Sequence, residues 1–302
     1  MSAHTKRSAA SALGMGVIGA LQWRLMLLWI LITLLPTLVV ALPLWRVLDE
    51  LVGHSVHAEQ WAAHFNGIFF ADVLGALQRN RWIGSAFAAG ALLALAISPF
   101  LAGMAVAGGR ANRALSFGGL LQGGATEYGR MLRVLPLSLV PYGLVVLATK
   151  GVSSLAGDKA DAALLPSTAD TYQYAALAVT LLCFVVAQAI VESARAQFIA
   201  DITLRSAWRA LGRGFMQVVR RPFASLLVYL VITLAGVGLS VLIAAWRGRS
   251  TAVGSEWLVA FLIVQLGVAV VAWMRTARLL ALAGLSSATQ HRRRRTDFAP
   301  AL

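Results

Sequence analysis

The chain has 302 residues, 59% hydrophobic and 13% charged, with a mean hydropathy of +0.76 and a formal net charge of +14. Soluble domains carry about 25% charged residues, so this composition excludes an ordinary globular domain and points to a polytopic membrane protein. The basic excess flanks apolar runs, with no folded basic surface carrying interleaved stacking aromatics, and so reads as membrane topology; no nucleic-acid partner is expected.

Residues 1–24 read as a cytoplasmic amino-terminal segment carrying Lys6, Arg7 and Arg24, with a Gly/Ala-rich stretch at 9–21 lying along the interface. The uncharged run 25–45 is too long for a signal-peptide core and reads as an uncleaved first span containing Pro36. Residues 46–81 form the longest connection, with one or two short helices. His54, His57 and His64 share a helical face there, but His54 and His64 would lie about 15 Å apart on a straight helix, so no metal is assigned.

Further spans are expected at 82–109, 134–149, 171–191, 223–246 and 257–274, so that 25–285 is one all-α, six-helix transmembrane domain and 286–302 a basic cytoplasmic tail. The third is short and holds Pro136 and Pro141. A span of that length begins within the preceding helix or is shielded by its neighbours. Before it, a short helix is expected from Ala125, with Tyr128, Met131, Leu132 and Leu135 on one face and Glu127, Arg130 and Arg133 on the other. Glu192 and Arg195, three residues apart at the end of the fourth span, form a candidate structural ion pair. Cys183, the lone cysteine, excludes an intramolecular disulfide. Trp23, Trp45, Trp82, Trp246, Trp257 and Trp273 sit near span ends as an interfacial belt.

The stretch 201–222 organises the second half. At 100° per residue Leu204, Ala207, Trp208, Leu211, Phe215, Val218 and Val219 fall on one side and Arg205, Arg209, Arg213, Gln217, Arg220 and Arg221 on the other. This is the pattern of a cytoplasmic amphipathic helix at a membrane surface. The five arginines are the candidate face for anionic headgroups or a protein partner.

With both termini on one side, that side holds 19 Lys and Arg against 7 on the other, and 4 acidic residues against 8. The positive-inside rule places both termini in the cytoplasm. Spans two and three, and spans four and five, are each joined by an arginine-bearing connection ending before a proline, Pro136 and Pro222. This is a weak parallel repeat, although two similar hairpins also arise from topology alone.

The segment FGGLLQGGATEYGRMLRVLP, then ESAR after the fourth span, then an arginine-studded helix ending in RRP, resembles a group of six-span bacterial inner-membrane proteins with a glycine-rich, Tyr-Gly-Arg loop and an Asp-Tyr-Ala-Arg-like motif. Glu192 and Arg195 match the acidic and arginine positions, and Ser193 departs from the tyrosine. The resemblance covers about residues 80–245 and implies a multi-pass protein of the bacterial cytoplasmic membrane, with no activity attached.

No catalytic motif, Walker sequence or pair of acids within the spans is present, so no enzyme activity and no cofactor are expected. The expectation is an accessory or scaffold component that meets a partner or anionic lipid through its basic helices. The alternative is a permease-like subunit docking an ATPase.

Overall fold

A computed structural model of the chain describes residues 9–53, 55–57, 60, 67–111, 114–250 and 256–297. Its elements are α1 Ala9–Gly19, α2 Trp23–Val52, α3 Gly67–Arg79, α4 Arg81–Arg110, α5 Phe117–Leu137, α6 Leu139–Asp161, α7 Pro166–Ala200, α8 Ala207–Arg220, α9 Pro222–Arg249 and α10 Trp257–Asp297. The described residues contain no strand. Six helical stretches are long and apolar enough to cross a membrane: α2, α4, α5 running into α6, α7, α9 and α10. The all-α, six-span architecture is therefore the structure observed.

The third span shows why its sequence looked short. Its helix begins at Phe117 and runs through the glycines to Leu137, breaks at the single residue Ser138 just after Pro136, which has no amide hydrogen to donate, and then continues from Leu139 to Asp161. The helix expected from Ala125 thus starts eight residues earlier, capped by Ser116. Glycine costs helix propensity in water, yet Gly123 and Gly124 are retained because their bare Cα atoms let α5 approach α4.

Close approach between small residues recurs. Helix α1 packs on α10, where a Cβ on Gly16 would lie 2.6 Å from Ala281 Cβ, and Ala12, Ala20, Ala277 and Ala281 are buried in the same cluster. This docking places α1 against the last helix. Trp273, expected in the interfacial belt, instead turns its indole inward and donates to the Val17 carbonyl at 3.2 Å. Trp23, Trp45, Trp82, Trp246 and Trp257 are exposed near helix ends, as an interfacial belt requires. Most large apolar side chains of the spans are exposed as well, the pattern of helices whose outer faces meet lipid.

The two halves share a repeated unit. Helix α4 ends at residue 110 and α5 begins at 117; α7 ends at 200 and α8 begins at 207, a shift of 90. Ser116 accepts the Gly119 amide at 3.2 Å, and Ser206 accepts the Arg209 amide at 3.4 Å, each capping its helix. Gly124 rests against Phe100 and Met104, and Gly214 against Ile190 and Ala194, again a shift of 90. The likeness expected from the two prolines thus recurs in helix bounds, caps and glycine contacts at one constant shift. Its register follows the capping serines and seated glycines, not Pro136 and Pro222.

Candidate functional site

Both repeated units end in a polar hub, and the hubs differ in charge. In the first, Glu127 belongs to the buried seam of α5 with Leu120, Gly124, Met131 and Val134. It does not share an open stripe with Arg130 and Arg133, because Arg110 reaches in from the end of α4 and takes its carboxylate. Arg110 Nη1 lies 2.5 Å from Glu127 Oε1, and Arg130 Nη1 lies 3.2 Å from Oε2. The Arg110 guanidinium also donates to the Phe198 carbonyl, from Nε at 2.8 Å and Nη2 at 2.5 Å, tying the first unit to the end of α7. Two arginines are thereby consumed in holding the fold together.

In the second unit the position matching Glu127 is Gln217. Its amide oxygen accepts from Gln197 Nε2 at 2.6 Å and its amide nitrogen donates to the Leu282 carbonyl at 3.1 Å. A neutral hub joins α7, α8 and α10, so the arginines of α8 are not drawn inward. Ala207, Ala210, Leu211, Gly214 and Val218 make the buried seam of α8. Trp208, Phe215 and Val219, grouped with these by the sequence, form a separate exposed strip, Trp208 being 66% exposed. The reason is geometric: Gly214 seats the helix on the Ala194 backbone, and only about a third of the circumference fits beneath.

Arg205, Arg209, Arg213 and Arg220 are exposed and Arg221 half-buried. Arg213 Nη1 bridges Asp201 Oδ2 at 2.7 Å, which fastens the α7–α8 connection to α8. The Thr203 hydroxyl and then Arg213 hold the Asp201 carboxyl below its ordinary range. Helices α5 and α8 meet through Met131, Val134, Leu204, Ala207 and Ala210 over the end of α7 at Phe198. The two connections thus form one platform at a single end of the bundle.

Beneath α8 lies a buried ion pair that the sequence assigned to other partners. Glu192 Oε1 is 2.8 Å from Arg278 Nη2, and each side chain is 8% exposed. Arg195 forms no ion pair with Glu192 among the described residues. Glu192 points toward α10 rather than back along α7, and the last helix supplies the guanidinium. Arg278 Nη1 also donates to Thr233 Oγ1 at 3.0 Å, and its guanidinium stands 5.0 Å over the Tyr229 ring. The pair therefore clamps α7, α9 and α10 together. Glu192 Oε2 and Arg278 Nε find no hydrogen-bond partner among the described residues.

Sequence reasoning missed Arg278 because its partner is far away in the chain, and no local spacing carries such a pairing. The Arg110 contact is equally nonlocal. The Glu127/Arg130 spacing of three residues was visible, but not the burial that gives it weight. Among the described residues no cluster of three metal-ligating side chains occurs; His54 and His64 lie outside them. No protein-family model, curated protein or solved structure matches the chain.

Proposed function

We propose that the protein is a non-enzymatic accessory or scaffold component of a bacterial cytoplasmic membrane, with both termini in the cytoplasm and α8 laid against the anionic headgroups of the inner leaflet. The observation that carries this reading is the three-way division of α8. One strip is buried on α7, a second bearing Trp208, Phe215 and Val219 is exposed and apolar, and a third bears Arg209, Arg213 and Arg220. A helix at a membrane surface places apolar side chains in the headgroup boundary and arginines against phosphates, each contributing about 1 kcal/mol near an anionic surface. The six spans hold the chain in the bilayer, so these arginines act on the local leaflet without having to anchor the protein.

A spin label at position 216 of the full chain, on a background with Cys183 replaced by Ser, tests the reading in nanodiscs. Phosphatidylglycerol should immobilise the label relative to pure phosphatidylcholine, salt should relieve the effect, and changing Arg209, Arg213 and Arg220 to Gln should remove it. A label indifferent to headgroup charge would sink this assignment.

The convergence of α5 and α8 on one platform favours a second reading, a permease-like subunit whose paired helices dock an ATPase. Co-purification of a nucleotide-binding protein that is lost when α8 is neutralised would support it over the first.

A further inference from the structure

Away from α8, a groove opens between the helices of the bundle. It has a volume of about 970 Å³ and runs between α2, α4, α9 and α10, lined mainly by apolar side chains such as Trp29, Pro36, Val40, Phe87, Ile97 and Val268. Its volume is at the upper end of the usual range for small-molecule sites. The groove is open along one side, where Phe87 and Val264 remain about half exposed.

The polar groups in its wall divide sharply. The hydroxyls of Thr33, Thr37, Ser98 and Ser240 donate to carbonyls of their own helices, those of Trp29, Thr33, Leu95 and Gly236, at 2.8–3.0 Å. They ask nothing of an occupant. Arg275 is the one charged residue in the lining, and among the described residues it has neither a hydrogen bond nor an ion pair. Nearby, Glu192 is already taken by Arg278. Arg275 itself is exposed at the end of the groove, with no carboxylate of the chain paired to it among the described residues.

The position of Arg275 fixes which end of the groove is charged. Trp29, Leu101 and Ala272 share one buried cluster, and Arg275 follows Ala272 by one turn. From that end the wall continues along α2 from Trp29 to Leu44, about 22 Å at 1.5 Å per residue. One leaflet of hydrocarbon is about 15 Å deep, half the usual core. The groove is therefore longer than one leaflet is deep, ample for an acyl chain, with an apolar wall and one unpaired cation at the end shared with the arginine-rich platform.

We propose that this groove holds an acyl chain of an anionic phospholipid, with the headgroup phosphate paired to Arg275. The site is independent of α8, and its failure is separable from failure of the surface reading. Such a lipid supplies an anion for Arg275 and fills a gap between α2 and α4 that protein side chains leave open. A zwitterionic lipid fits the apolar wall but carries a compensating positive charge to the same arginine.

The test uses the full chain in nanodiscs with lipids brominated on their acyl chains, reading Trp29 fluorescence as the difference from Trp29→Phe. Brominated phosphatidylglycerol should quench Trp29 at a lipid fraction about fivefold lower than brominated phosphatidylcholine, the weight of one arginine at an anionic headgroup. Arg275→Gln should abolish that preference and Arg275→Lys should retain it. Ala94→Phe, which places a ring in the groove from an exposed position, should remove quenching by both lipids. Paired Arg209→Gln and Arg220→Gln should leave the preference intact while releasing the label at 216. Equal quenching by the two headgroups in the unaltered chain overturns the proposal without recourse to any variant. A preference that survives Arg275→Gln, or quenching that survives Ala94→Phe, overturns it too.

Discussion

The two repeated units use the same backbone to opposite electrostatic ends. Each has a long span, a six-residue connector, a serine cap and a glycine seated on the preceding helix. In the first unit Glu127 gathers Arg110 and Arg130 into the fold, leaving Arg133 as the exposed arginine of α5. In the second, Gln217 occupies the matching position, Asp201 holds only Arg213, and Arg205, Arg209 and Arg220 remain outside. Of the two arginines bound in the first unit only Arg130 has a counterpart, Arg220, since Ala200 stands where Arg110 would be; with an amide at 217 Arg220 stays exposed, and Arg205, Arg209 and Arg213 are additions of the second unit. The repeated fold thus explains where the helices sit, and the departure from the repeat explains why α8 is the functional candidate.

The largest departure is at position 192, where the second unit has a buried glutamate and the first has Ala102. Glu192→Gln removes the charge that balances Arg278 and should destabilise the protein by about 3–5 kcal/mol in detergent denaturation, because a guanidinium remains buried without its partner. Replacing both Glu192 and Arg278 by Leu should recover most of that loss, giving the second unit the apolar character of the first. Equal destabilisation by the single and double changes would show that the ion pair itself, not the avoidance of a lone charge, holds α7 to α10.

A smaller effect separates the two seated glycines. A Cβ on Gly214 would lie 2.5 Å from the Ala194 backbone nitrogen, so Gly214→Ala must move α8 and should cost about 1–3 kcal/mol. On Gly124 the nearest atoms are Met104 Cγ at 2.8 Å and the Phe100 ring at 2.9 Å. No backbone atom is met there, but Met104 is fully buried and must shift, so Gly124→Ala should cost less than Gly214→Ala, with about 1 kcal/mol of helix propensity offsetting part of the clash. Thermal unfolding of the two variants side by side measures the difference.

The mildest prediction concerns Asp201. Its carboxyl is held below the ordinary carboxylate range by Thr203 and Arg213, so the stabilising contribution is complete above the unfolded value, about 3.9, and is lost as pH falls through the folded value. Because Arg213 is almost half exposed, Asp201→Asn should cost under about 1 kcal/mol at neutral pH, and the difference from the unaltered chain should begin to shrink below about pH 4 and vanish only below the depressed folded value. Hydrogen exchange in the α7–α8 connection follows this directly.

The spans were legible in the sequence because uncharged runs about 20 residues long, ended by arginine and tryptophan, have few other physical explanations. The α8 helix was legible from its periodicity, although one apolar side in projection proved to be two: Ala207, Leu211 and Val218 buried, Trp208, Phe215 and Val219 open. What could not be read were the contacts made across the bundle. Arg278 lies just beyond the expected end of the sixth span and is the partner of Glu192, and Trp273, expected in the belt, donates to the Val17 carbonyl. The repeat was visible through its prolines, but its register rests on which glycine touches which helix, a tertiary fact. The groove ending at Arg275 arises only when four helices that are distant in the chain are brought together.

The measurement that bears most directly on the account compares spin labels at positions 216 and 126, equivalent sites on α8 and α5 that are both exposed. In nanodiscs of phosphatidylglycerol against phosphatidylcholine, the label at 216 should be immobilised in a salt-sensitive way and the label at 126 should not, since Arg110 and Arg130 are bound to Glu127. An equal response at both sites, or none at 216, would contradict the claim that the free arginines of the second unit distinguish it from the first.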